Sequence, residues 1–196
     1  MTNCGKLTRF IQTAQSSYHT RHYEDVCDTW SREARVHHGF EAEYIVVGTF
    51  KSKAFRMAYV DEYAAAYQLN PEEKKLLLED QLHETDLNHE FQLALFVPEK
   101  KWEKIDKTES MWKLYLINDR GERVEPSEVQ KVNGQDADVK HFFPYVTPWK
   151  TTYVVRFPYR IPETNCPLVD ENTTAITLVV TSVLGTAHME WNLEQP

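Results

Sequence analysis

From Leu7 to Ala34 the apolar residues recur at helical intervals. Leu7, Phe10, Ile11, Ala14 and Tyr18 form one stripe, and Tyr23, Val26, Cys27, Trp30 and Ala34 form a second. Each has the three-and-four spacing of an amphipathic helix, but the two are out of phase. The pattern predicts a helical segment over residues 5–36, broken around Ser16 to Arg21 and stopped at Gly39. The character changes at "EAEYIVVGTF". There the short run Tyr44-Ile45-Val46-Val47 is apolar and mostly β-branched, as in a strand buried on both faces.

Ser52 is placed to cap the next helix, "KAFRMAYVDEYAAAYQL". Phe55, Tyr59, Tyr63 and Ala66 line one face of it, and Met57, Val60, Ala64 and Tyr67 line another, so cover on both sides is expected. Asn70-Pro71-Glu72-Glu73 then combines a side-chain cap, a proline at the first helical position and acids in the first turn. That helix should run to about His83.

From Asn88 onward the period is two. "EFQLALFV", "MWKLYLI", "TTYVVRFP", "AITLVVTSVL" and "AHMEWNL" read as strands, with turns at Asn118-Asp119-Arg120-Gly121 and Gly185-Thr186. In the last of them Ala187, Met189, Trp191 and Leu193 oppose His188, Glu190 and Asn192, which means one buried face and one wet face. Six or seven strands joined by short turns predict an α+β protein built on a mainly antiparallel β-sandwich of immunoglobulin-like kind. The sandwich domain is expected over residues 40–196, with a two-helix insertion at about 52–83, behind an N-terminal helical segment at 1–39.

Composition narrows the function. In 196 residues, 41% hydrophobic and 12% aromatic content supplies a full core. A net charge of −8 repels phosphate backbones, and the lysines of "PEKKWEK" and "PEEKK" are interleaved with glutamate. No nucleic-acid partner is expected. There is no run of eighteen apolar residues, and none of the six glycines belongs to a phosphate-cradling loop or a nucleophile elbow. No catalytic residue and no cofactor is therefore assigned.

Eight histidines raise the question of a metal. On a helix, His19 and His22 share one face, with Glu24 or Cys27 as the third ligand of a candidate zinc site. The alternative function that follows is a metal-dependent hydrolase. With no second cluster at ligand spacing, the preferred reading is a pair of solvated side chains and no metal. His83 and His89 are six apart, on opposite sides of a helix, and do not make the zinc-protease pattern. His37, His38, Glu41 and Glu43 fit a helix end. The adjacent carboxylates Asp61-Glu62 and Glu79-Asp80 diverge on a helix and read as solvated.

In "HFFPYVTPWKTTYVVRFPYRIP", Tyr153 and Phe157 fall on the core face, while Tyr145, Trp149 and Tyr159 flank prolines outside the alternation. These three are the candidate partner-binding surface. Of the three cysteines, Cys27 reads as a small buried hydrophobe, and a Cys27–Cys166 bridge stays open.

Cys4 is followed by "GK", which resembles the mature start of bacterial lipoproteins. The blocks "SMWKLYLINDRGERVEPSEV", "FFPY", "YVVRFP" and "LGTAHMEWNL", roughly the C-terminal half, are similar to predicted bacterial lipoproteins of unknown function. The resemblance implies lipid attachment at Cys4, a place in the bacterial cell envelope facing the periplasm, and an envelope protein as partner. It implies no activity. A non-catalytic binding or scaffold protein is the function expected. If Met1 is the native start, the reading becomes a cytosolic interaction module.

Overall fold

In a computed structural model, which describes residues 20–107 and 109–194, the chain is α+β. Nine strands form two antiparallel sheets among the described residues. Helix α1 (Arg21–Trp30) leads into a hairpin of β1 (Ser31–His38) and β2 (Glu41–Phe50). Helices α2 (Lys53–Tyr67) and α3 (Pro71–Leu87) follow, and α3 runs directly into β3 (Asn88–Phe96). Then come β4 (Lys113–Asn118), β5 (Arg123–Val124), β6 (Glu128–Val132), the short α4 (Ala137–Phe142), β7 (Thr151–Pro158), β8 (Ala175–Ser182) and β9 (Gly185–Asn192). One sheet has the order β1-β2-β3-β7-β6 and the other β5-β4-β8-β9.

Strand registers show which side chains meet. Gly48, Leu93 and Tyr153 lie abreast in the five-stranded sheet, as do Phe50, Phe91 and Val155. In the four-stranded sheet, Leu116, Leu178 and Met189 form one row and Asn118, Ile176 and Trp191 the next. These rows face each other as the sandwich core, and nearly all are fully buried. Gly48 leaves no room for a side chain: a Cβ there would lie 2.7 Å from the Leu93 side chain on the neighbouring strand and 3.4 Å from Met189 of the other sheet. Tyr44 closes the other end by donating its hydroxyl to the Val180 carbonyl at 2.8 Å. Burial raises that phenol to about 12.

The opposite face of the five-stranded sheet is covered by α1, α2 and the 142–146 segment, giving three layers. Tyr23 of α1 donates to the Phe142 carbonyl at 2.7 Å and packs on Phe55 and Phe142. Cover on both sides is why β3 buries every residue from His89 to Leu95, although its sequence alternates. Sequence had placed Glu62 among solvated carboxylates. It is buried and accepts from the Thr20 backbone N–H (3.2 Å) and hydroxyl (2.7 Å), which ties the entry of α1 to α2.

The helix expected over 5–36 is corrected from residue 31 on; its first part, up to residue 19, lies outside the described residues. Residues 31–38 form β1, and Gly39, at φ +63°, makes the hairpin turn. Ala34 is four residues from Trp30, which extends the helical stripe on paper. It also alternates with Arg35, however, and pairing with Val46 on β2 decides the outcome. The expected division at residue 39 falls between the two strands of this hairpin. Arg32, Glu33 and Arg35 suit the outer strand of a sheet, where charge discourages further pairing.

The caps at Ser52 and Asn70 form as read: Ser52 accepts from the Phe55 N–H, and Asn70 with Glu73 makes a full capping box. Helix α3 continues to Leu87, past the expected end. Helix α2 buries Phe55, Ala58, Val60 and Ala64 but leaves Met57 and Tyr67 exposed, so its second stripe is only half covered. The last turn is at Val183-Leu184, with Gly185 already in β9. Cys27 is buried and Cys166 exposed, both as free thiols, so the bridge left open is not made.

Candidate functional site

Where β2, β7 and β9 finish and β3 begins, the two sheets part around a cavity of about 750 Å³. Its apolar wall is Trp30, Phe50, Tyr159, Val169 and Leu193, and His89 lies among them. The wall is held from behind. Trp191 donates its indole N–H to the Trp30 carbonyl at 2.7 Å, and Trp30 packs edge-on against Phe50 at 5.9 Å. The start of α2 and the loop that holds Val169 and Asn172 complete the mouth.

His89 is only 6% exposed and stacks on Tyr159 with ring centroids 5.6 Å apart. Burial lowers its pKa to about 4; a hydrogen bond to the Tyr159 backbone acts the other way and is outweighed. The ring is therefore neutral at pH 7. Its Nε2 has no hydrogen-bond partner among the described residues. In the tautomer that carries its proton on Nδ1, the neutral ring presents Nε2 as a bare acceptor. A buried acceptor without a donor is costly, by about 1–3 kcal/mol, and an occupant able to supply an N–H or O–H removes that cost.

Charge at the mouth does not favour an anion. Asp86, Asp170 and Glu171 line it against Lys51 and Lys53. Lys51 is bonded to Glu90, and Lys53 lies 3.9 Å from Asp86. Asp170 accepts from the Arg120 guanidinium at 3.2 Å and from the Asn172 and Thr173 donors, which hold its carboxyl below the usual range. Glu171 leaves the mouth slightly acidic. Apolar walls, the unpartnered His89 Nε2 among them and an acidic mouth together suit an uncharged or cationic occupant with an aromatic or aliphatic body.

The residues expected from sequence are dispersed. Cys4 and His19 lie outside the described residues. His22 and Glu24 are exposed on α1 while Cys27 is buried against Ser31, so these groups do not share one environment. No group of three or more His, Cys, Asp or Glu positioned for a metal exists among the described residues. His37 and His38 belong to a β-hairpin, not a helix end.

Tyr145, Trp149 and Tyr159 do not form one surface. Tyr145 is a packing residue: its hydroxyl joins Thr49 Oγ1 (2.8 Å) and donates to the Gln92 carbonyl (3.1 Å) on the helix-covered face. Trp149 is 72% exposed, as expected. Tyr159 is separated from it by the full length of β7, roughly 25 Å at 3.3 Å per residue, and belongs to the cavity wall. His89 was set aside in the sequence because it failed the zinc-protease spacing. The available signal was its phase: His89 is in step with Phe91, Leu93 and Leu95, a polar residue on an apolar face.

No protein-family model and no curated protein matches this chain. Among solved structures, it is similar to the crystal structure of a DUF4426 family protein from Pseudomonas aeruginosa PAO1. The two are 11% identical, with a TM-score of 0.32 over 81% of this chain and 91% of that chain.

Proposed function

We propose that this protein is a non-catalytic binding protein of the bacterial cell envelope, tethered through a lipid on Cys4, whose ligand enters the open end of the sandwich. The observation that carries the binding role is the unpartnered Nε2 of buried His89 at an aromatic-walled cavity of about 750 Å³. The walls supply apolar area, His89 an acceptor that orients the ligand, and the acidic mouth a bias against anions. Among the described residues, the serine and threonine hydroxyls that line the cavity are engaged elsewhere: Ser52 accepts from the Phe55 N–H and Thr85 donates to the Leu82 carbonyl.

The matching probe is N-phenyl-1-naphthylamine, an uncharged aryl amine with one N–H donor. Its fluorescence is expected to rise saturably on titration with the protein. The 8-sulfonate of the same scaffold, which adds only an anion, should bind at least tenfold more weakly. Val169→Trp places an indole in the cavity and should abolish the signal while leaving the thermal midpoint within a few degrees. Equal binding of both dyes, or binding that survives Val169→Trp, contradicts the reading.

The anchor is tested separately. Expressed from its complete gene in a bacterial host, the protein should partition into detergent and label with palmitate, and Cys4→Ser should abolish both. Labelling that survives the substitution removes the lipid from the proposal without touching the cavity.

A further inference from the structure

On the helix-covered face of the five-stranded sheet lies a second, polar cavity of about 330 Å³, bounded by α2, α3, β3 and β7. Three cations, Lys51, Arg56 and Arg156, converge there on one buried carboxylate, Glu90. Both Glu90 oxygens are taken. Lys51 Nζ donates to Oε1 at 2.5 Å, and Arg156 Nε donates to Oε2 at 2.9 Å. Arg156 spends its Nη1 on Glu128 at 2.6 Å, at the exposed edge. Burial acts to raise the Glu90 carboxyl, but the three cations hold it below its usual value.

Arg56 is the group left over. It is 98% buried by its 2% exposure, and its Nε and Nη1 donate to the Lys51 carbonyl (3.1 Å) and Gln81 Oε1 (2.8 Å). Its Nη2 lies 3.8 Å from Glu90 Oε2, beyond hydrogen-bond reach, and has no acceptor among the described residues. The three cations Lys51, Arg56 and Arg156 are balanced in number by Glu84, Glu90 and the Glu128 that holds Arg156 at the edge, so what is left over is the Arg56 N–H. A buried guanidinium with an idle N–H beside a polar cavity lacks an oxygen acceptor. At about 30 Å³ per water, the space is ample for a phosphate or a small carboxylate with its waters.

We infer that this cavity is a site for a small free oxyanion, a carboxylate or phosphate, completed by the Arg56 guanidinium. It is independent of the proposed function, since the two cavities share only Lys51. The planar fork of Arg56 fits the paired oxygens of either anion, and the distinction between them is left to titration.

The test is calorimetric titration and thermal melting with inorganic phosphate and with acetate, ionic strength being held constant with chloride. One or both anions should bind saturably and raise the midpoint along a saturating curve; the one that does so identifies the source. Arg56→Lys keeps the charge but loses the fork, and should weaken binding at least tenfold. Gln81→Glu supplies a built-in carboxylate to Arg56. It should raise the midpoint in chloride and eliminate the response to added anion. A linear, non-saturating rise that is the same in the wild type and Gln81→Glu is the general effect of excluded salts and overturns the inference. So does a Gln81→Glu protein that melts lower than the wild type in chloride.

Discussion

Trp191→Ala is expected to lower unfolding free energy by about 3–5 kcal/mol, the range for truncating a large aromatic in a packed core. Trp191 has no exposed surface, lies 5.2 Å from the Phe91 ring and 6.4 Å from Phe50, and bonds the Trp30 carbonyl through its indole N–H. Truncation leaves a cavity between the sheets and removes the donor from a buried carbonyl, and both effects destabilise. Trp149→Ala supplies the contrast. That ring is 72% exposed, and its loss should change stability by less than about 1 kcal/mol. Paired urea melts measure both. Equal destabilisation would place Trp149 in the core and contradict the burial described here.

The second large effect is one of pH. His89 titrates near 4 in the folded chain, against 6.5 for an ordinary imidazole. Between those values the unfolded chain binds more protons than the folded one, so stability rises with pH. His89 thus contributes its full stabilisation above about pH 6.5 and loses it as pH falls through 4. At about 1.4 kcal/mol per unit, the loss is about 3 kcal/mol over the whole window and about 2 kcal/mol between pH 7 and pH 5. His89→Phe keeps a ring against Tyr159 and removes the titration. Urea melts at the two pH values should show the wild type losing about 2 kcal/mol more than the variant. A wild type and variant with parallel pH dependence would mean that His89 accepts its proton in the folded state without penalty.

How legible this was in the sequence depended on distance along the chain. Local chemistry was readable. Ser52 and Asn70 cap helices because their side chains reach N–H groups two or three residues on, and the alternation through Ala187, Met189 and Trp191 matches the wet and dry faces of β9. Residues 31–38 were misread because Trp30 and Ala34 satisfy the helical period, while the strand pairing that overrides it comes from β2. Glu62 was misread because its donors at Thr20 lie 42 residues away. The cavity was out of reach for the same reason. Phe50, His89, Tyr159 and Leu193 end or begin strands far apart in the chain, and only the two sheets bring them to one opening.

The ligand role of that opening is tested most directly by where the aryl-amine probe binds. In ¹H–¹⁵N spectra of the labelled protein titrated with N-phenyl-1-naphthylamine, the amides of Ala54, Asn88, His89, Asn172 and Leu193 are expected to shift along one saturable curve. Those of Lys113 and Tyr115, on the four-stranded sheet away from the cavity, should stay in place. Shifts centred instead on Trp149 or Phe40, exposed rings outside the cavity, would contradict a ligand site at the open end of the sandwich.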